Sequence, residues 1–132
     1  MEVYNVILID LSTKVELTVQ VKVDKGETSE NIAICAKISD REFSSANYNY
    51  LPAYQEFRDK LLAAGYGIKC NGSRLNVIQS GMMGATDKIY LVEMGKQVQT
   101  KDLVHIWDYA EIDIFPDTRQ QNAFLEQWIV KH

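Results

Sequence analysis

A thiol, an imidazole and a carboxylate are what a cysteine nucleophile needs, and the chain carries one candidate set: Cys70, His105 and Asp108. In such a set the imidazole takes the thiol proton and the carboxylate orients the imidazole. Cys70 is flanked by Lys69 and Arg74, cations of the kind that lower a thiol pKa. His132 is terminal, so His105 is the one base available. No motif links the three positions, and a single histidine in "LVHIW" is ordinarily a packed or surface residue. Glu93 and Asp108 form a second acid–base candidate, again with nothing in the sequence that makes them converge. The sequence therefore predicts no catalytic residue.

Glycines punctuate the same region in "GYG" (65–67), "NGS" (71–73) and "SGMMG" (80–84). None has the Gly-x-x-x-x-Gly-Lys-Ser/Thr spacing of a phosphate-binding loop, and Gly81 and Gly84 lead into a strand pattern rather than a helix. They read as turns. A nest of backbone N–H groups beside Ser73 and Arg74 remains a candidate anion site. Met82 and Met83 read either as core plugs or as an adaptable contact surface. Cys35 and Cys70 lie in no Cys-x-x-Cys unit, and no His–Cys spacing suits zinc. Buried thiols are expected, with no metal and no cofactor.

Charge is more informative. Residues 51–96 carry six bases and four acids, whereas 97–132 carry three bases and six acids. Within the latter, "WDYAEIDIFPD" (107–117) holds Asp108, Glu111, Asp113 and Asp117 without one base. Trp107, Tyr109, Ile112, Ile114 and Phe115 are interleaved. Carboxylates of one sign steer an oppositely charged partner, and aromatics anchor it. The candidate partner-binding residues are thus Trp107, Asp108, Tyr109, Glu111 and Asp113. The competing reading makes the aromatics core and the acids a solvated rim.

Several elements must position these groups. In "VELTVQVKVD", Val15, Leu17, Val19, Val21 and Val23 alternate with polar residues, which predicts a strand with one buried face. "VYNVILIDL" precedes it across a Ser12–Lys14 link short enough for a hairpin. A turn at Asp24–Gly26 leads to "NIAICAKIS", a third strand with Ile32, Ile34, Ala36 and Ile38 on one face. A helix opening at Thr28 or Ser29 is the alternative there. "DREFSSANYNYLP" lacks a period and reads as a loop. "AYQEFRDKLLAAG", after Pro52, predicts a helix with Tyr54, Phe57, Leu61, Leu62 and Ala64 on one side and Gly65 as its stop. Asn71-Gly72 predicts a tight hairpin between "GIKC" and "SRLNVIQ". "KIYLVEM" is a further strand, and "DLVHIWDY" a short strand or helical turn. Thr118 with Gln121 predicts a capping box for a last helix bearing Phe124, Leu125, Trp128 and Ile129. The order favours an α+β fold: an antiparallel sheet of five or six strands with two main helices packed on one face.

A chain of 132 residues forms one domain (1–132) and buries roughly two-thirds of its unfolded surface without staples. A net charge of −4 argues against nucleic acid as the partner. The N-terminus lacks a basic region and no apolar run reaches a membrane span, so a soluble, cytoplasmic protein is expected. Oligomeric state is open.

Three segments carry a resemblance: "FRDKLLAAGYGIKCNGSRLNVIQSGMMG", "DLVHIWDY" and "QQNAFLEQWI". They resemble a family of small, mostly uncharacterised bacterial proteins with a Cys-Asn-Gly-Ser-Arg turn, a Ser-Gly-Met loop and a closing Gln…Phe…Trp helix. The likeness covers residues 54 to 130. Here the loop continues Met83-Gly84-Ala85-Thr86-Asp87, shorter and less basic than the family's, and His105 stands where the family has an acid. Small acidic proteins of this type are similar to immunity proteins of bacterial toxin systems. The resemblance implies a non-enzymatic inhibitor of a basic toxin domain and supplies no catalytic residue. Two other readings stand beside it: a small enzyme or anion-binding domain around Cys70–Gly84, and a subunit that self-associates through an edge strand.

Overall fold

A computed structural model describes residues 1–26 and 31–131. The fold is α+β, with two α-helices and eight strands among the described residues. Strands β1 (Glu2–Asp10), β2 (Glu16–Asp24), β3 (Ile32–Ile38), β4 (Arg41–Asn47) and β5 (Tyr66–Ile68) form an antiparallel sheet in the order β4-β3-β2-β1-β5. β6 (Val77–Ile78), β7 (Lys88–Leu91) and β8 (Leu103–His105) form a second antiparallel sheet in sequence order. Helix α1 (Tyr50–Ala63) lies in the first sheet, and helix α2 (Thr118–Lys131) closes the chain. The alternative helix opening at Thr28 or Ser29 lies outside the described residues.

Alternation sets the register. Val21 and Val23 are buried, and so are Ile32, Ile34, Ala36 and Ile38. Val15, expected on the same face, lies ahead of β2 and is exposed. α1 touches β4, β3 and β5, which include both edges of the sheet, so the sheet curls around it. The buried face of the helix is Tyr50, Ala53, Tyr54, Phe57 and Leu61, the spacing of a helical stripe. Gly65, at φ +93°, follows its end. α2 leans chiefly on α1 and β6, and only Gln121 of it is buried. One core cluster joins both sheets, from Val6 and Leu8 to Val77, Ile89 and Ile106.

Three expectations are corrected. "REFSSAN" is strand β4, not loop. It pairs with β3 through a two-residue turn, Ser39-Asp40, both at positive φ without a glycine. Its inward face is Phe43 and Ser45, and the Ser45 hydroxyl donates to the Ala53 carbonyl at 2.7 Å. Asn71-Gly72 is not a hairpin turn. β5 pairs with β1 and β6 with β7, while Asn71–Ser73 form a 3₁₀ turn between the sheets. The cap of α2 is Asp117 rather than Thr118. Asp117 N donates to Gln120 Oε1 at 2.9 Å and Gln120 N donates to Asp117 Oδ1 at 2.9 Å, a reciprocal capping box.

Candidate functional site

Gly72 lies where α1 meets the second sheet. A Cβ there would lie 2.7 Å from Tyr54 Cε2 and 2.9 Å from Ile106 Cγ2, so the glycine is required by close packing. Around it Cys70, Asn71 and Ser73 are buried. Cys70 Sγ lies 3.2 Å from Tyr54 Oη, which is also 2.6 Å from Ser73 Oγ. Burial raises the Cys70 thiol pKa, outweighing the hydrogen bonds that lower it, the opposite of what a nucleophile requires. His105 is half exposed and pairs with Asp87 at 3.0 Å; the thiol's partners are Tyr54 and the Gly72–Ser73 turn. Glu93 pairs with Lys96 at 2.8 Å. The structure thus brings together neither acid–base set named from the sequence. Ser73 is enclosed with its hydroxyl used, and Arg74 Nε donates to Asn71 Oδ1 at 3.0 Å, so this turn offers no open anion nest. An alkylating reagent at neutral pH is expected to modify half-buried Cys35 and to reach Cys70 only on unfolding. A Cys70 that reacted faster than Cys35 would restore the nucleophile reading.

The segment after β8 is fixed onto residues 69–71, just past β5. Asn71 N donates to the Asp108 carbonyl at 3.0 Å and Ala110 N to the Lys69 carbonyl at 3.2 Å, with an antiparallel bridge between Cys70 and Tyr109. Alternation then sorts the side chains. Ala110 and Ile112 turn inward, while Asp108, Tyr109, Glu111, Asp113 and Ile114 are exposed. Trp107 is corrected from surface anchor to core residue. It is 4% exposed, donates from Nε1 to Tyr50 Oη at 2.8 Å, and packs on Tyr4, Tyr54 and Phe57. Burial pushes the Tyr4 hydroxyl up to about 12 and holds that of Tyr50 well above its ordinary value, so the cluster stays neutral.

Lys69 clamps the strip to the sheet. Its ammonium is enclosed and meets Glu16 at 2.7 Å and Glu111 at 2.8 Å. Tyr109 Oη donates to the same Glu111 carboxylate. Hydrogen bonds from Lys69 and Tyr109 lower the Glu111 pKa, and those to Glu111 and Glu16 raise that of Lys69. The Glu111 contribution is complete above the ordinary carboxylate value and fades as pH falls through its folded value. The Lys69 contribution is present below the ordinary ammonium value and is lost as pH rises through its folded one. The clamp is intact across the neutral range. Asp108 and Asp113, by contrast, have no side-chain partner among the described residues.

Sequence reasoning missed two features. Arg58 is fully buried on α1. It reaches Asp59 at 2.8 Å, Thr118 at 3.2 Å and Gln121 at 2.7 Å. Gln121 also donates to the Gly72 and Arg74 carbonyls at 2.9 and 2.7 Å. The second is an apolar groove between α2 and residues 114–116. Neither was legible, because the partners are remote in sequence. Met82, 98% exposed, is not a core plug. No helix among the described residues is long and apolar enough to cross a membrane. No group of three or more His, Cys, Asp or Glu side chains among them could hold a metal ion. The sequence matches no protein-family model and no curated protein.

Proposed function

We propose that this chain is a non-enzymatic binding protein, an immunity-type inhibitor working in a bacterial cytoplasm, that covers a basic site on a toxin with its acidic strip. The observation that carries this is the pair Asp108 and Asp113, exposed and without side-chain partners among the described residues, on a segment whose backbone at 108–110 is hydrogen-bonded to residues 69–71. Exposed carboxylates without internal partners attract a cationic partner and speed its approach. Tyr109, 55% exposed, supplies an aromatic contact beside them. Glu111 is held inward by Lys69, whose single charge it shares with Glu16. The test is neutralisation. The proposal predicts a toxin gene directly upstream of the gene for this chain; its product should arrest bacterial growth when expressed alone, and co-expression of this chain should relieve the arrest. Arrest that persists with this chain abundant and folded contradicts the proposal.

A further inference from the structure

The pairing of β2 with β3 ends early. It joins Lys22–Asp24 to Ala33–Cys35 and would next set Val21 against Ala36 and Gln20 against Lys37, but the strands part there. β2 still runs back to Glu16 with β1 along one side, and β3 runs on to Ile38 with β4 along its own. Antiparallel strands send their hydrogen bonds to alternate sides. The Ser39-Asp40 turn closes on the pair Ile38–Arg41, so Ile34, Ala36 and Ile38 bond to β4 while Ala33, Cys35 and Lys37 face β2. By the same phase Lys22 and Asp24 face β3, and the N–H and C=O groups of Thr18 and Gln20 point to the same side. Those of Thr18 and Gln20 have no backbone partner among the described residues. Where the strands part lies a notch of about 430 Å³, lined by Gln20, Lys22, Cys35, Ala36, Lys37 and Glu42.

At the outer edge of β4 a side chain intervenes, since Lys60 on α1 donates to the Ser44 carbonyl. The β2 edge has no such cover among the described residues. A row of unpaired N–H and C=O groups is complementary to the backbone of another extended chain, and the side chains beside it select which chain. On the inner face, Leu17 and Val19 are only half-buried against the core, so apolar side chains on an added strand would finish covering them. On the outer face, Lys22 and Lys37 stand exposed at the notch without ion-pair partners among the described residues. Glu42, opposite Lys37, is the one carboxylate among the lining residues. Two ammonium groups against one carboxylate leave the notch cationic, which suits an incoming carboxylate. We propose that the free edge of β2 takes up an extended segment of a partner protein as an added strand, with its apolar side chains on Leu17 and Val19 and a carboxylate in the notch between Lys22 and Lys37. This does not rest on the immunity reading.

The probe is a short peptide of alternating valine and threonine with one glutamate on its threonine face, and the readout is amide exchange of the full chain by NMR. Without peptide, exchange along β2 should alternate, slow at Leu17 and Val19 and fast at Thr18 and Gln20. Peptide should slow Thr18 and Gln20 saturably. N-methylation of alternate peptide residues in the phase that faces β2 should weaken binding about tenfold or more, through the donors removed. The other phase should be tolerated. Changing the glutamate to lysine should weaken binding about threefold or more, and Lys37→Glu in the protein should reverse that preference. Thr18→Pro removes a donor that faces away from β1 and should also weaken binding; if it fails to fold, the methylated peptides and Lys37→Glu decide. Slow exchange at Thr18 and Gln20 in dilute protein alone, no slowing by peptide, equal binding of both methylated phases, or preference for the lysine peptide would each overturn the proposal. So would protection without peptide that grows with protein concentration, since the added strand would then come from a second copy.

Discussion

Replacing Trp107 by alanine is expected to lower stability by about 3–5 kcal/mol, the range for deleting a large buried aromatic. For a chain of this size that corresponds to a fall in Tm of roughly 10–20 °C. The indole stacks on Tyr4 at 5.7 Å, meets Tyr54 edge-on at 5.1 Å and approaches Phe57 at 6.4 Å. Its removal opens a cavity among side chains from β1 and α1. It also leaves the Tyr50 hydroxyl without its 2.8 Å donor. Trp107→Phe keeps most of the volume and loses that hydrogen bond, so it should cost about 1–2 kcal/mol. Thermal unfolding of both variants checks the ordering. If Trp107→Ala unfolded within a degree or two of the wild type, the ring would not be core.

Gln121→Leu is expected to cost about 3–4 kcal/mol, through a different mechanism. The Gln121 amide accepts from Arg58 at 2.7 Å and from Gln55 at 3.0 Å, and donates to two carbonyls of the 72–74 turn. Leucine fills similar space but leaves those carbonyls and a buried guanidinium short of partners, each at a penalty of about 1–3 kcal/mol. The Arg58 charge has already been taken out of water, so its hydrogen bonds weigh most. α2 has no large buried apolar face to compensate, since Gln121 is its only buried residue. The helix should therefore loosen first, which hydrogen exchange would show as lost protection in α2 while β1–β3 stay protected. Equal loss everywhere would mean that Gln121 supports the whole core rather than latching one helix.

The three residues Trp107, Asn71 and Ser39 show where the fold could be read from sequence and where it could not. Period-two alternation in residues 16–24 and 32–38 reflects one buried face, so β2 and β3 were legible, as was the α1 stripe through Tyr54, Phe57 and Leu61. β4 was not. Its inward face is one aromatic and a serine whose hydroxyl is satisfied by α1, and its turn adopts positive φ at Ser39 and Asp40 rather than at glycine. Asn71-Gly72 carried a strong local hairpin signal, but β1 pairs with β5 and residues 108–110 pair with the residues 69–71 that follow it. Tertiary pairing overrode the turn, and Gly72 serves close packing instead. In the strip, aromatics among acids fit both a core and a surface. Ala110 and Ile112 fix the inward phase of 109–113, while Trp107 enters the core ahead of the bridge. The five-residue candidate set was therefore four-fifths exposed, with its largest aromatic inside.

The central claim is that the outward carboxylates of residues 108–113 are the working surface. The most direct measurement is growth protection by Asp108→Lys combined with Asp113→Lys, in a variant whose Tm matches the wild type. Protection against the neighbouring toxin should be lost, with association slowed and its salt dependence flattened. Full protection at wild-type expression would contradict the claim and move the interface elsewhere on the molecule.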